Sequence, residues 1–123
     1  MSLSLQAVAA GPFPQGPIKV VVPFSAGSTG DMVIRLMAPK LGERLGQSLV
    51  IENRVGAGGN IGTAFVASAV PDGQTLLFTA MHNFVINQHI YKTMKFDPVT
   101  AFAPVSKVVD LPYVMYASGG SKL

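Results

Sequence analysis

The apolar positions along the chain come in short blocks whose spacing changes from one block to the next. Ile18 to Phe24 (IKVVVPF) is an apolar, β-branched run, which predicts a strand covered on both faces, as in a parallel sheet. From Asp31 onward, Val33, Ile34, Met37, Leu41 and Leu45 recur at helical spacing and end at Gly46, a C-terminal cap. Pro39 lies inside that helix and predicts a kink or break near Arg35, whose carbonyl its ring would crowd. A second strand is predicted over Ser48 to Glu52, a second helix over Asn60 to Val70, a turn at Pro71-Asp72-Gly73 and a third strand over Gln74 to Ala80. This β-α-β-α-β order with short connections implies right-handed crossovers and an α/β fold, a parallel or mixed sheet with flanking helices. The following stretch, NQHIYKTMKFDPVTAFAPV, is less periodic, and VSKVVDLPYVMYA predicts one or two further strands.

Composition narrows the function classes. The 123 residues are 49% apolar and 12% charged, a balance that suits one modest core and argues against disorder. The net charge of +3 comes from basic residues scattered between Lys19 and Lys122, so nucleic acid is not an expected partner. Without cysteine there is no disulfide, thiolate metal site or cysteine nucleophile. No cofactor or metal is expected: His82 and His89 stand seven apart without clustered carboxylates. Residues 1–17 form a lead-in, in which MSL reads as a vector-derived start and LQAVAAGPFPQGP as the small-residue end of a trimmed export signal with a proline-rich continuation.

Candidate chemistry concentrates where strands turn into helices, because in an open parallel sheet ligands sit outside the carboxyl ends of the strands. PFSAGSTGD, RVGAGGNIGT and TAMHNF are three such turns, and the predicted topology puts them on one edge. The first two are glycine-rich and lead into helices, whose first N–H groups lack intrahelical partners and carry the positive end of the macrodipole; an anion is the natural guest. Ser25, Ser28, Thr29, Asn60 and Thr63 add hydroxyl or amide partners. Equally, such turns serve to change chain direction, with Ser28 or Asn60 as an N-cap and Asp31 as a dipole-matched acid. A nucleotide reading fails on the spacing: counting from Gly56 and Gly58, the GxGxxG pattern would need glycine where Ile61 stands, and neither GxxxxGK[ST] nor GxSxG occurs.

PIKVVVPFSAGSTGD, LGERLGQSLVIENRVGAGGNIGT, PDGQTLLF and FDPVTAFAPVSKV, in this order and spacing from about Pro17 to Met115, resemble the Bug (TctC) family of extracytoplasmic solute receptors of tripartite tricarboxylate transporters. The resemblance implies a type 2 periplasmic-binding-protein fold, with residues 18–123 forming part of the N-terminal of two α/β lobes. It also implies a non-catalytic periplasmic receptor that closes over a small carboxylate and delivers it to membrane permease subunits. The implied ligand-binding residues are Ser25, Ala26, Gly27, Ser28, Thr29 and Asp31 in the first loop and Gly58, Gly59, Asn60 and Ile61 in the second, gripping a carboxylate through backbone amides and bridging waters. Asn83 belongs to the third loop, where side chains select the ligand. The chain departs from the family pattern at Ser28 and Gly30, where Gly and Thr are common, and around Asn83 and Phe84.

An alternative from another class is a hydrolase-like α/β enzyme with Ser28 as nucleophile and His82 as base, a reading weakened by the missing nucleophile elbow and orienting acid. One lobe alone is expected to bind weakly and to associate as a homodimer through uncovered sheet edge or apolar surface.

Overall fold

A computed structural model describes residues 13–120. Its sheet has three strands in the order β2-β1-β3: β1 (Ile18–Val22) is central, with β2 (Leu49–Asn53) and β3 (Thr75–Leu77) on its flanks. Both pairings are parallel, with Val20 opposite Ile51 on one side and Leu76 on the other. The central position explains why β1 is apolar at every position but Lys19: Ile18, Val20, Val21 and Val22 are all buried.

The parallel register gives each face its own set of side chains. On one face Ile18, Val20 and Val22 pack with Leu49, Ile51 and Leu76 against Ile34 and Leu41 of helix α1 (Thr29–Leu45), forming the core cluster. The opposite face carries Lys19 and Glu52, whose side chains are ion-paired at 3.3 Å, beside Phe65 of helix α2 (Asn60–Ala67). The two crossover helices thus lie on opposite faces, as right-handed connections require when the first runs from β1 to β2 and the second returns from β2 past β1 to β3.

Element boundaries differ from the sequence reading in instructive ways. Helix α1 begins at Thr29 and runs through Pro39 to Leu45 without a break. Proline removes the one N–H that would reach Arg35, but Ile34 before it and Leu41 after it are fixed to the same sheet face, and this packing carries the helix through. Gly46 ends it at φ 67°, as expected of a C-cap. Helix α2 stops at Ala67 rather than Val70, and the third strand is cut from seven residues to Thr75–Leu77. The residues removed from that strand serve the next turn, where two short helices follow, α3 (His82–Val85) and α4 (Asn87–Ile90). The strands predicted in VSKVVDLPYVMYA do not form among the described residues: Val105, Tyr113 and Met115 are 85%, 90% and 98% exposed. A strand needs a partner edge as well as β-propensity, and this stretch meets none.

Candidate functional site

The three strand-to-helix turns do meet at one edge, beyond the carboxyl ends of β1, β2 and β3. Close approach of backbone holds them there. A Cβ at Gly62 of α2 would lie 2.7 Å from the Arg54 carbonyl and 2.9 Å from Pro23 Cβ, so only glycine lets α2 seat against the ends of β1 and β2. Gly30 of α1 lies over Phe78, and the His82 ring sits against Phe24 with centroids 5.4 Å apart.

The first loop, Ser25 to Ser28, is braced by its own helix. Ser28 N–H donates to the Ser25 carbonyl at 3.1 Å, and Gly27 takes φ 81° as the turn demands. Ser28 is the N-cap of α1, its Oγ accepting from Asp31 N–H at 3.4 Å. Asp31 is buried, and its carboxylate accepts from Gly27 N–H at 2.8 Å, Arg35 Nε at 2.9 Å and Asn53 Nδ2 at 2.9 Å. Asn53 also donates to the Phe24 carbonyl and accepts from Arg35, tying β2 to the start of the loop. The Arg35 guanidinium, then the Gly27 N–H and the Asn53 amide, hold the Asp31 carboxyl well below the usual carboxylate range.

The second loop, Arg54 to Gly59, has a less usual backbone. Ala57, Gly58 and Gly59 follow one another at φ 47°, 60° and 93°, and the non-glycine Ala57 costs about 1–2 kcal/mol in that region. Gly59 N–H donates to the Gly56 carbonyl at 3.0 Å, and Asn60 N–H to Ala57. The Gly58 carbonyl accepts two side-chain amides, Asn83 Nδ2 at 2.9 Å and Asn87 Nδ2 at 3.1 Å. Asn87 Nδ2 also donates to Asn60 Oδ1 at 2.8 Å, and Asn83 Oδ1 accepts from Thr79 at 2.7 Å. Thr63 is buried and donates back to the Gly59 carbonyl. The Arg54 guanidinium carbon lies over the Phe65 ring, 3.6 Å from its centre, and its Nε donates to Glu52. Burial opposes the Glu52 charge, but the Arg54 and Lys19 partners outweigh it and hold its pKa below the ordinary value.

This geometry sorts the residues singled out from sequence into two groups. Ser25, Ala26, Gly27 and Gly58 are exposed on the loops, and Thr29 and Ile61 on the first turns of α1 and α2. Asp31, Gly59, Asn60 and Asn83 are buried, and the side chains of Asp31, Asn60 and Asn83 are engaged in the bonds that shape the loops. The N–H groups of Gly27, Ser28, Gly59, Asn60 and Ile61 already meet protein acceptors. Among the described residues no protein acceptor meets the N–H groups of Ala26, Thr29, Gly30, Ala57 and Gly58. Four further residues shape the loops without standing out in the sequence analysis: Arg35, Asn53, Thr79 and Asn87. Asn87 carries a usable sequence signal, since Asn83 and Asn87 stand four apart among apolar neighbours, the spacing that puts two side chains on one side. Ser28 Oγ serves as a helix cap and His82 as a ring partner. A groove of about 520 Å³ lies beside the second loop, lined by Ala57, Asn60, Ile61 and Phe65 on one side and Tyr91 and Thr93 to Lys95 on the other; another, of about 710 Å³, lies between α1 and the β2 edge, from Arg35 to the turn at residues 46–48, away from the glycine loops.

Residues 33–122 match the family described as tripartite tricarboxylate transporter family receptor. The chain is 35% identical over 117 residues to protein BugT of Bordetella pertussis (strain Tohama I), covering 94% of this chain and 36% of that one. Among solved structures, MatC of Rhodopseudomonas palustris with bound malate superposes with a TM-score of 0.72 and 36% identity, covering 76% of this chain and 32% of MatC. A second R. palustris protein, solved with adipate, gives a TM-score of 0.69 and 42% identity over 72% of this chain and 30% of that one. The chain therefore spans about a third of the length of the relatives it matches. Matched along most of its length in sequence and in fold, the chain belongs to the receptor family of the tripartite tricarboxylate transporters, a family of solute-binding receptors rather than enzymes.

Proposed function

We propose that residues 18–123 form part of the first lobe of a periplasmic receptor that binds a small carboxylate and presents it to a tripartite tricarboxylate transporter permease. The observation that carries this reading is the set of five backbone N–H groups, on Ala26, Thr29, Gly30, Ala57 and Gly58, that meet no protein acceptor among the described residues and stand at two strand-to-helix turns of one sheet edge. Such donors suit a carboxylate, and the start of α1 adds the positive end of its dipole. The malate and adipate bound to the two R. palustris relatives are the chemistry these donors would recognise. Cations contribute little on this side: Arg35 is engaged by Asp31 and Asn53, and Arg54 by Glu52 and Phe65.

Thr29 offers a direct test. It is the first residue of α1, where proline is well tolerated, and Ser28 before it has φ −64° and ψ 158°, a conformation that a following proline accepts. Thr29→Pro therefore removes one N–H donor with the helix retained. In the full-length protein it is expected to weaken malate or adipate binding about tenfold in titration calorimetry, the loss of one hydrogen bond to a charged group. Thr29→Ala, which keeps the N–H, serves as the control. Equal affinity in both variants would remove the loop-1 amides from the site.

The 123-residue chain by itself is expected to bind weakly, since a receptor that closes two lobes over its ligand leaves the carboxylate hydrated when one lobe is missing. The exposed apolar stretch Val105 to Tyr116 favours self-association of that isolated chain. Light scattering that gives the mass of one chain at every concentration would refute the association.

A further inference from the structure

The two asparagines on the Gly58 carbonyl form an arrangement that a loop needs only if its backbone direction matters. The carbonyl has two lone pairs, and each receives one amide, from Asn83 and from Asn87. Neither donor belongs to the loop: they come from the short helices α3 and α4 after β3, 25 and 29 residues further on. Each donor is anchored in turn, Asn83 by the Thr79 hydroxyl two residues beyond β3 and Asn87 by Asn60 at the start of α2. In a trans peptide the N–H points opposite to its carbonyl, so fixing the Gly58 carbonyl inward directs Gly59 N–H to Gly56 and sets the left-handed run Ala57-Gly58-Gly59. That run orients the N–H groups of Ala57 and Gly58. Both asparagines are buried, Asn83 completely, and Gly59 backs onto Asn83 so closely that a Cβ there would lie 2.5 Å from its Nδ2.

We propose that Asn83 and Asn87 are positioning residues, a two-amide clamp on the Gly58 carbonyl through which the third loop sets the direction of the N–H groups in the second. For its effect on affinity this rests on the carboxylate-receptor reading above; for its effect on the loop it does not. The specificity attributed to the third loop would then reach the ligand partly through backbone placement, without side-chain contact.

Asn83→Asp tests the clamp with little change of shape. Its carboxylate can still accept from Thr79, but the oxygen replacing Nδ2 faces the Gly58 carbonyl and repels it; protonation restores a donor at that place. Amide hydrogen exchange in the full-length protein is the first readout. At neutral pH the variant is expected to exchange the Gly59 and Asn60 amides at least tenfold faster than the parent, with β1 amides unchanged, and to recover most of that protection as acid protonates the new carboxyl. Unchanged loop exchange, or an increase shared equally with β1, would overturn the clamp. The second readout is calorimetry with malate and adipate, where at least a tenfold loss of affinity at neutral pH is expected. If exchange accelerates while affinity holds, the positioning role is wrong even though the contact is real. The amide cradle stands or falls separately on Thr29→Pro against Thr29→Ala.

Discussion

The two glycine loops end on the same sheet edge, precede helices and offer N–H groups of the same kind, yet they are held by different means. The first is braced from within: Ser28, Asp31 and Arg35, the residues that open α1, cap the helix and take the Gly27 N–H, with Asn53 as the one distant partner. Its brace is ionic and lies within ten residues of sequence. The second is braced from outside by neutral amides that stand 25 and 29 residues away, and its backbone holds four successive positive φ angles, Gly56 to Gly59, that local sequence alone would not keep. A loop with a strong local cap can form with its helix, whereas one that depends on distant asparagines forms only when the third strand and its turns are in place.

Matched glycine substitutions give the widest separation between the loops. Gly27→Ala meets open space and suffers only its φ of 81°, about 1–2 kcal/mol. Gly59→Ala has the same kind of conformational strain at φ 93° and also drives a Cβ to 2.5 Å from the Asn83 amide, so it is expected to cost roughly 1–3 kcal/mol more. Gly59→Val, with a branched side chain, is expected to disorder the loop altogether, and loss of binding in that variant would report on folding and not on the amides. Denaturant melts of the two alanine variants decide; equal midpoints would mean that the outer brace is slack.

Asp31→Ala attacks the inner brace. It strips the acceptor from Gly27, Arg35 and Asn53 together, so exchange of loop-1 amides should rise and Tm should fall, with loop 2 still protected. Loss of protection in both loops to the same degree would show that they are one cooperative unit.

Acid provides the mildest probe. The folded-state pKa of Asp31 lies below its unfolded value of about 3.9, so its stabilisation is fully present above that value and is lost as pH falls through the folded pKa. The clamp of loop 2 has no titrating group. As pH falls from about 4 through the folded pKa of Asp31, exchange rates corrected for their intrinsic pH dependence should rise in loop 1 before loop 2. The reverse order would contradict the assignment of braces.

Much of this architecture was legible in the sequence because it follows from periodicity and local chemistry. The β-branched run Ile18 to Val22 marks a central parallel strand, the spacing of Ile34 and Leu41 marks the buried face of α1, and Gly46 marks its end. The glycine loops and their shared edge also followed, since the carboxyl ends of parallel strands all lie on one side of the sheet. Helix α1 through Pro39, the shortened β3 and the bare stretch Val105 to Tyr116 did not, because each depends on what packs alongside. Nor could sequence divide the N–H groups into those already bonded and those left open. Ser28 and Asp31 announce a helix start, but only the fold brings Asn83 and Asn87 onto the Gly58 carbonyl, because a contact across 25 residues is set by strand order and helix packing rather than by any spacing along the chain.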